Sequence, residues 1–180
     1  MNRVKLAREA ANVTRFHTQP TLVTETVAHH SFNVVNLLLI MTNCEISKRA
    51  IIAALVHDMG EPVVGDIPSP VKRAMDSQTI DNIVKLEMDH IAKIHPYMAE
   101  ENHTFTPEEA FLLDLCDKLD GLLKCTEELE LGNKKMIPIG NRYVSYIYAQ
   151  HGDKPMHDIT AKIIHQWQTG VIPCQVTTSK

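Results

Sequence analysis

In the stretch AALVHDMGEPVVGDIPSP, Ala53 to Pro70, an apolar run suited to a protein interior stops at His57 and Asp58, and Glu61 and Asp66 follow among Gly and Pro. At helical spacing, His57 continues the face of Ala50, Ala53 and Ala54, and Asp58 that of Ile51, Ala54 and Leu55, so both face inward at a helix end. A buried, unpaired carboxylate costs several kcal/mol, so Asp58 needs a cation, a proton or several donors, and few lysines or arginines lie nearby in the chain. Upstream, His30 falls within the apolar stripe of Val27, Val34, Leu38 and Met41, whereas His29 points elsewhere. Alone, His30 reads as a core histidine bonded to a carbonyl. Downstream, Asp114, Asp117 and Asp120 flank the stripe of Leu112, Leu115, Leu119, Leu122 and Leu129, and periodicity does not choose which of them turns inward. Two imidazoles and two carboxylates form an N/O ligand set for a divalent ion such as Mn, Co, Ni, Fe or Zn. Such an ion would acidify water and neutralise charge on a phosphoryl oxygen, as hydrolysis of a phosphate ester requires. An adjacent His-Asp pair is common by chance; its weight here comes from His30 before it and the acid-rich loop after it.

The elements that must carry these residues are helical nearly throughout, so an all-α domain is predicted. Helices are expected from Asn2 to about Val13, from about Thr26 to Asn43, and from a Ser47 cap to near Met59. The Pro- and Gly-rich segment from Gly60 to Pro70 must be loop or broken single turns. A further helix runs from about Ser77 to Ile94. Another opens at TPEE with Thr106 as cap and Glu109 closing a capping box, and stops near Leu131 before Gly132. Two more are expected over Ile139 to Gln150 and Met156 to Thr169, and the tail GVIPCQVTTSK has no clear assignment.

The 180 residues suit a single domain, 1–180, with 44% apolar and 22% charged residues and a net charge of −4. With no basic excess, a nucleic-acid polymer is not an expected partner. The longest apolar run, VVNLLLIM, is eight residues, short of the roughly 20 that span a bilayer, so no membrane association is expected. The start of the sequence lacks the apolar core and cleavage site of a signal peptide, which makes the cytoplasm the expected location. Cys44, Cys116, Cys125 and Cys174 form no CxxC pair and read as reduced, mostly core residues.

These features resemble the HD-domain phosphohydrolases, all-helical metal enzymes, and in particular the 5′-deoxynucleotidases of the YfbR type and related phage dATP triphosphohydrolases. RFHTQPTLVTETVAHHS is similar to their opening motif, with an arginine fifteen residues before the first ligand. HDMGEPVVGDIPSPVK resembles their HDxxE…GD.P.PVK block, and DKLDGLLKCTEE their last-ligand helix. The likeness runs from about Arg15 to Glu128. It implies a compact multi-helix HD-domain bundle whose ligands for a divalent metal (Mn, Co, Zn, Fe, Ni or Mg) are His30, His57, Asp58 and Asp117. It implies catalytic roles for Glu61 and Asp66 at the attacking water and the leaving oxygen, and phosphate contacts for Arg15 and Lys72. Phe16 and Thr18 would border the nucleoside pocket. Phe16 stands where Trp is usual, and His29 replaces the usual acid, which bears on base and sugar recognition.

The expected activity is hydrolysis of the 5′ phosphate ester of deoxyribonucleotides at the α-phosphorus, releasing phosphate from a dNMP or triphosphate from a dNTP such as dATP. Relatives suggest a homo-oligomer, a dimer or a larger ring such as a hexamer. The alternatives are an HD phosphodiesterase acting on cyclic or oligomeric nucleotides, against which the short chain with one HD doublet argues, and a noncatalytic, metal-braced helical interaction module. The latter would dispense with Glu61 and Asp66.

Overall fold

Local capping chemistry sets most helix starts. A computed structural model describes residues 2–99, 105–152 and 155–170. In it Asn2 caps α1 (Arg3–Ala11) by accepting from the Val4 N–H at 2.9 Å. Ser47 caps α3 (Lys48–Val56) through the Ala50 N–H at 3.1 Å. Between them lies α2 (Val27–Met41). Its buried stripe of Val27, Val34, Leu38 and Met41, with His30 in line, is the predicted one, and His29 is exposed. α2 packs on α3, of which Ala50, Ala53, Ala54 and Val56 are buried.

The third helix stops at Val56, short of the predicted Met59, because the chain turns at His57–Gly60 into a 3₁₀ turn at Glu61–Val63. Beyond the last helical turn the spacing no longer sets direction. The helical face expected to carry Asp58 inward is not the core face, since Leu55 within α3 is exposed and Ile51 half-buried, and the turn after the helix places Asp58 instead. The proline-rich segment is irregular as far as Pro68, but a short helix the periodicity did not reveal, α4 (Ser69–Ala74), follows with Pro70 in its first turn. α5 (Ser77–Ile94) is capped by Asp76, which accepts from the Thr79 N–H at 2.9 Å and the Thr79 hydroxyl at 2.7 Å. It lies against α1 and the 3₁₀ turn. Gly60 is required there, since a Cβ would come within 2.5 Å of the Glu87 side chain and within 2.6 Å of its Cα.

The predicted capping box opens α6 (Pro107–Glu130): the Glu109 N–H donates to Thr106 Oγ1 at 3.1 Å and the Thr106 N–H to Glu109 Oε2 at 2.9 Å. α7 (Ile137–His151) starts two residues before the predicted Ile139, with Pro138 in its first turn, and α8 (Asp158–Thr169) is capped by His157. Among the described residues there are eight α-helices and no strand beyond one isolated antiparallel bridge, Thr14–Thr26, so the fold is all-α. None of these helices is long and apolar enough to cross a membrane.

Two compact units divide the chain, one ending at Asp117 and one beginning at Lys118, with α6 contributing to each. Within the second, Lys124 donates to Glu128 at 2.9 Å and Asn133 Nδ2 to the other Glu128 oxygen at 2.8 Å, all three side chains being buried. Trp167 of α8 donates to Asn141 at 3.0 Å and covers Gly140, where any Cβ would strike its ring. Cys116 and Cys125 are core residues as predicted; Cys44 is exposed in the turn after α2, and Cys174 lies outside the described residues.

Candidate active site

The chain after α1 doubles back on the residues that precede α2. The Val27 N–H donates to the Val13 carbonyl at 2.9 Å and the Arg15 N–H to the Glu25 carbonyl at 3.0 Å, flanking the Thr14–Thr26 bridge. Arg15 and Glu25 therefore stand opposite one another, with their side chains on the same side. The Arg15 guanidinium, 11% exposed, donates from Nη1 to Asp58 Oδ2 at 2.5 Å and from Nε to Glu25 Oε2 at 3.3 Å, and Nη2 lies 4.0 Å from Asp117 Oδ1. Asp58 thus has a cationic neighbour that separation along the chain concealed.

Around this arginine, α2, the end of α3 and α6 bring four donors together. His30 Nε2 lies 3.0 Å from His57 Nε2, 3.1 Å from Asp117 Oδ1 and 3.5 Å from Asp58 Oδ2, and His57 Nε2 is 3.4 Å from Asp58 Oδ2. Ligand atoms held ~2.1 Å from one ion lie about 3.0 Å apart at right angles and about 3.4 Å apart at tetrahedral angles, so the spacings among His30, His57 and Asp58 fit a shared divalent metal, with Asp117 reaching the group at His30. The His57 Nδ1 sits 2.9 Å from the Ala54 carbonyl. A proton assigned to that nitrogen leaves the Nε2 lone pair facing the other donors, the arrangement that outer hydrogen bonds impose on metal-binding imidazoles. His30 is fully buried, whereas His57 and Asp58 are half-buried, so the group opens toward solvent on one side. Of the three aspartates on α6, Asp117 meets both His30 and Arg15; Asp114 is half-buried, and Asp120 is buried, within 4.8 Å of ligand atoms of His30 and Glu25.

Glu61 opens the 3₁₀ turn after the doublet, its N–H donating to the Asp58 carbonyl at 3.1 Å. Its carboxyl is buried, and Oε2 has no hydrogen-bond partner among the described residues. Burial first, then the charges of Asp58 and Asp66, push its pKa up to about 8 against the pull of Arg15 and Lys72. Asp66 accepts the Phe16 N–H at 3.2 Å and lies 3.8 Å from His17 Nδ1. Phe16 is half-buried with φ at 54°, a left-handed conformation costly for a bulky residue, and Thr18 is exposed on the same turn. Lys72 is exposed on α4, close enough for its charge to ease the titration of Glu61 and Glu87.

Two residues escaped the sequence reading. Glu25 is buried beside Arg15, and its only trace in the sequence is an acid before α2, since the bridge that pairs positions 15 and 25 leaves no periodic signal. Glu87 on α5 is half-buried over Gly60; burial raises its pKa, with Lys72 opposing and Asp58 reinforcing.

Known proteins resemble this chain in sequence and in fold. A 5′-deoxynucleotidase of Photorhabdus laumondii is 33% identical over 129 residues, 61% of this chain and 64% of that protein. The 5′-deoxynucleotidase YfbR of Shigella boydii is 25% identical over 160 residues, 79% and 80% of the two chains. Among solved structures, the HD phosphohydrolase DatZ of cyanophage S-2L, bound to dA and one catalytic Zn2+ ion, superposes with a TM-score of 0.71 at 20% identity over 93% of this chain and 95% of that one. That likeness is one of fold, an all-α architecture shared over nearly the whole of both chains. The family model for YfbR-like 5′-deoxynucleotidases matches residues 4–156, and the chain belongs to that family.

Proposed function

We propose that this protein is a metal-dependent phosphohydrolase that cleaves the 5′ phosphate ester of deoxyribonucleotides at the α-phosphorus. The observation that carries the reading is the group of His30, His57 and Asp58, whose donor spacings of 3.0 to 3.5 Å suit one divalent ion, with Asp117 3.1 Å from His30 as the fourth member of the proposed quartet. Bound there, a divalent ion such as Mn, Co, Zn, Fe, Ni or Mg supplies Lewis-acid charge at the phosphoryl oxygen, acidifies water and favours the ionised form of Glu61. Arg15 binds the phosphate through a guanidinium already aimed at the quartet, and Lys72 adds charge from the exposed α4. Glu61, whose burial raises its proton affinity, orients the attacking water and takes its proton. Asp66 assists protonation of the departing 5′ oxygen. Phe16 and Thr18, on the turn that Asp66 secures, border the nucleoside.

Family membership favours monophosphates, with phosphate and a deoxynucleoside as products; dATP-like triphosphates are the second substrate class for the same step. The buried, partnerless Glu61 oxygen argues against a noncatalytic metal brace, which has no use for it. Residues 1–180 are read as one HD-type domain, a view supported by a family match that spans both compact units. The assembly is proposed to be a homodimer or hexamer, and the location the cytoplasm. Incubation of metal-loaded protein with deoxynucleoside mono- and triphosphates, followed by separation of the products, tests the activity. Release of phosphate or of triphosphate chooses the substrate class, and absence of turnover with Mn, Co and Mg overturns the reading.

A further inference from the structure

Arg15 faces three carboxylates: Asp58, Asp117 and Glu25. The first two belong to the proposed ligand quartet, so their charge would be shared with an ion whose own charge repels the guanidinium. Glu25 stands outside that quartet. Its buried carboxylate meets Arg15 Nε at 3.3 Å, and its backbone carbonyl accepts the Arg15 N–H at 3.0 Å, so two contacts tie residues that face each other across the bridge. A buried acid needs a partner, and a contact at Nε fixes the guanidinium plane while leaving Nη1 directed at Asp58 of the quartet.

We propose that Glu25 is a positioning residue that holds Arg15 for the substrate phosphate. The inference rests on the phosphohydrolase reading above. It assigns Glu25 no contact with substrate; its contribution passes through Arg15.

The test combines a thermodynamic cycle with a spectroscopic readout. In 15N-labelled protein the Arg15 Nε–H signal, identified by its loss in Arg15→Lys, should exchange slowly with solvent in the wild type and at least about 10-fold faster in Glu25→Gln. On a deoxynucleoside monophosphate, Glu25→Gln should lower kcat/KM about 10- to 100-fold, the scale expected for an outer partner of a catalytic group. The Arg15→Lys/Glu25→Gln double variant should fall no more than about 2-fold below Arg15→Lys alone, since coupled residues are not additive. If Glu25→Gln does not fold, Glu25→Asp, which keeps the charge but withdraws it, enters the same cycle. Unchanged exchange, or losses that add in the double variant of an active enzyme, overturn the role of Glu25 and leave the phosphohydrolase reading standing. Slow exchange in a wild-type protein that hydrolyses no nucleotide overturns both.

Discussion

His30 carries the largest burden of any single side chain in the site. It is fully buried, and its Nε2 meets His57, Asp58 and Asp117 within 3.5 Å. Cation binding should therefore depend on Asp117 and not on Asp114 one turn earlier. Asp117→Ala is expected to lower affinity for Mn2+ or Zn2+ by more than about 100-fold, beyond the range of outer-sphere changes, and to abolish turnover. Asp114→Ala should bind metal and turn over as the wild type does; calorimetric titration of metal into each variant decides between them. The His-Asp doublet was legible as an anomaly because polar groups ended an apolar helix. Arg15 beside Asp58 was not, because a 43-residue separation along the chain carries no local pattern.

At the scale of the elements, the turn after α3 is fixed by the close approach of α5. Gly60→Ala should force the doublet and Glu61 away from α5, costing about 1–3 kcal/mol as overpacking does and lowering kcat/KM while the helices persist. Chemical denaturation and dichroism measure the two effects separately. The start of α5 makes a pH-dependent contribution. Hydrogen bonds from the Thr79 hydroxyl and N–H hold the Asp76 carboxyl below its ordinary 3.8. A carboxylate whose pKa is lowered by folding stabilises the fold above its unfolded pKa and loses that contribution as pH falls through its folded value. Asp76→Asn should therefore lower the Tm at pH 7, with the deficit shrinking below pH 3.8. Caps such as Ser47 and Thr106 are local chemistry and were legible in the sequence. α4 was missed because a proline-rich segment reads as loop, although proline suits the first turn of a helix.

At the scale of the whole molecule, the second unit encloses a buried charge pair, Lys124 and Glu128, that is costly to break from one side. Glu128→Ala should cost about 3–5 kcal/mol by removing the partner of buried Lys124, whereas replacing both residues with apolar ones of similar volume should restore most of it. Urea denaturation of the two variants checks this. Light scattering of the 20.3 kDa chain should show a dimer or a hexamer.

The sequence by itself determined the all-α class, the main helices, the buried stripe through His30 and, through its resemblance to a family, the identity of the proposed ligands. Those depend on periodicity, capping and motif, which are written within a few turns of chain. Only the tertiary structure decided that Asp117 meets both His30 and Arg15, and that Glu61 is buried with an elevated pKa. It alone showed that Glu25 lies against Arg15. Each of these depends on distances and desolvation between segments far apart in the chain, set when helices pack and backbones bridge.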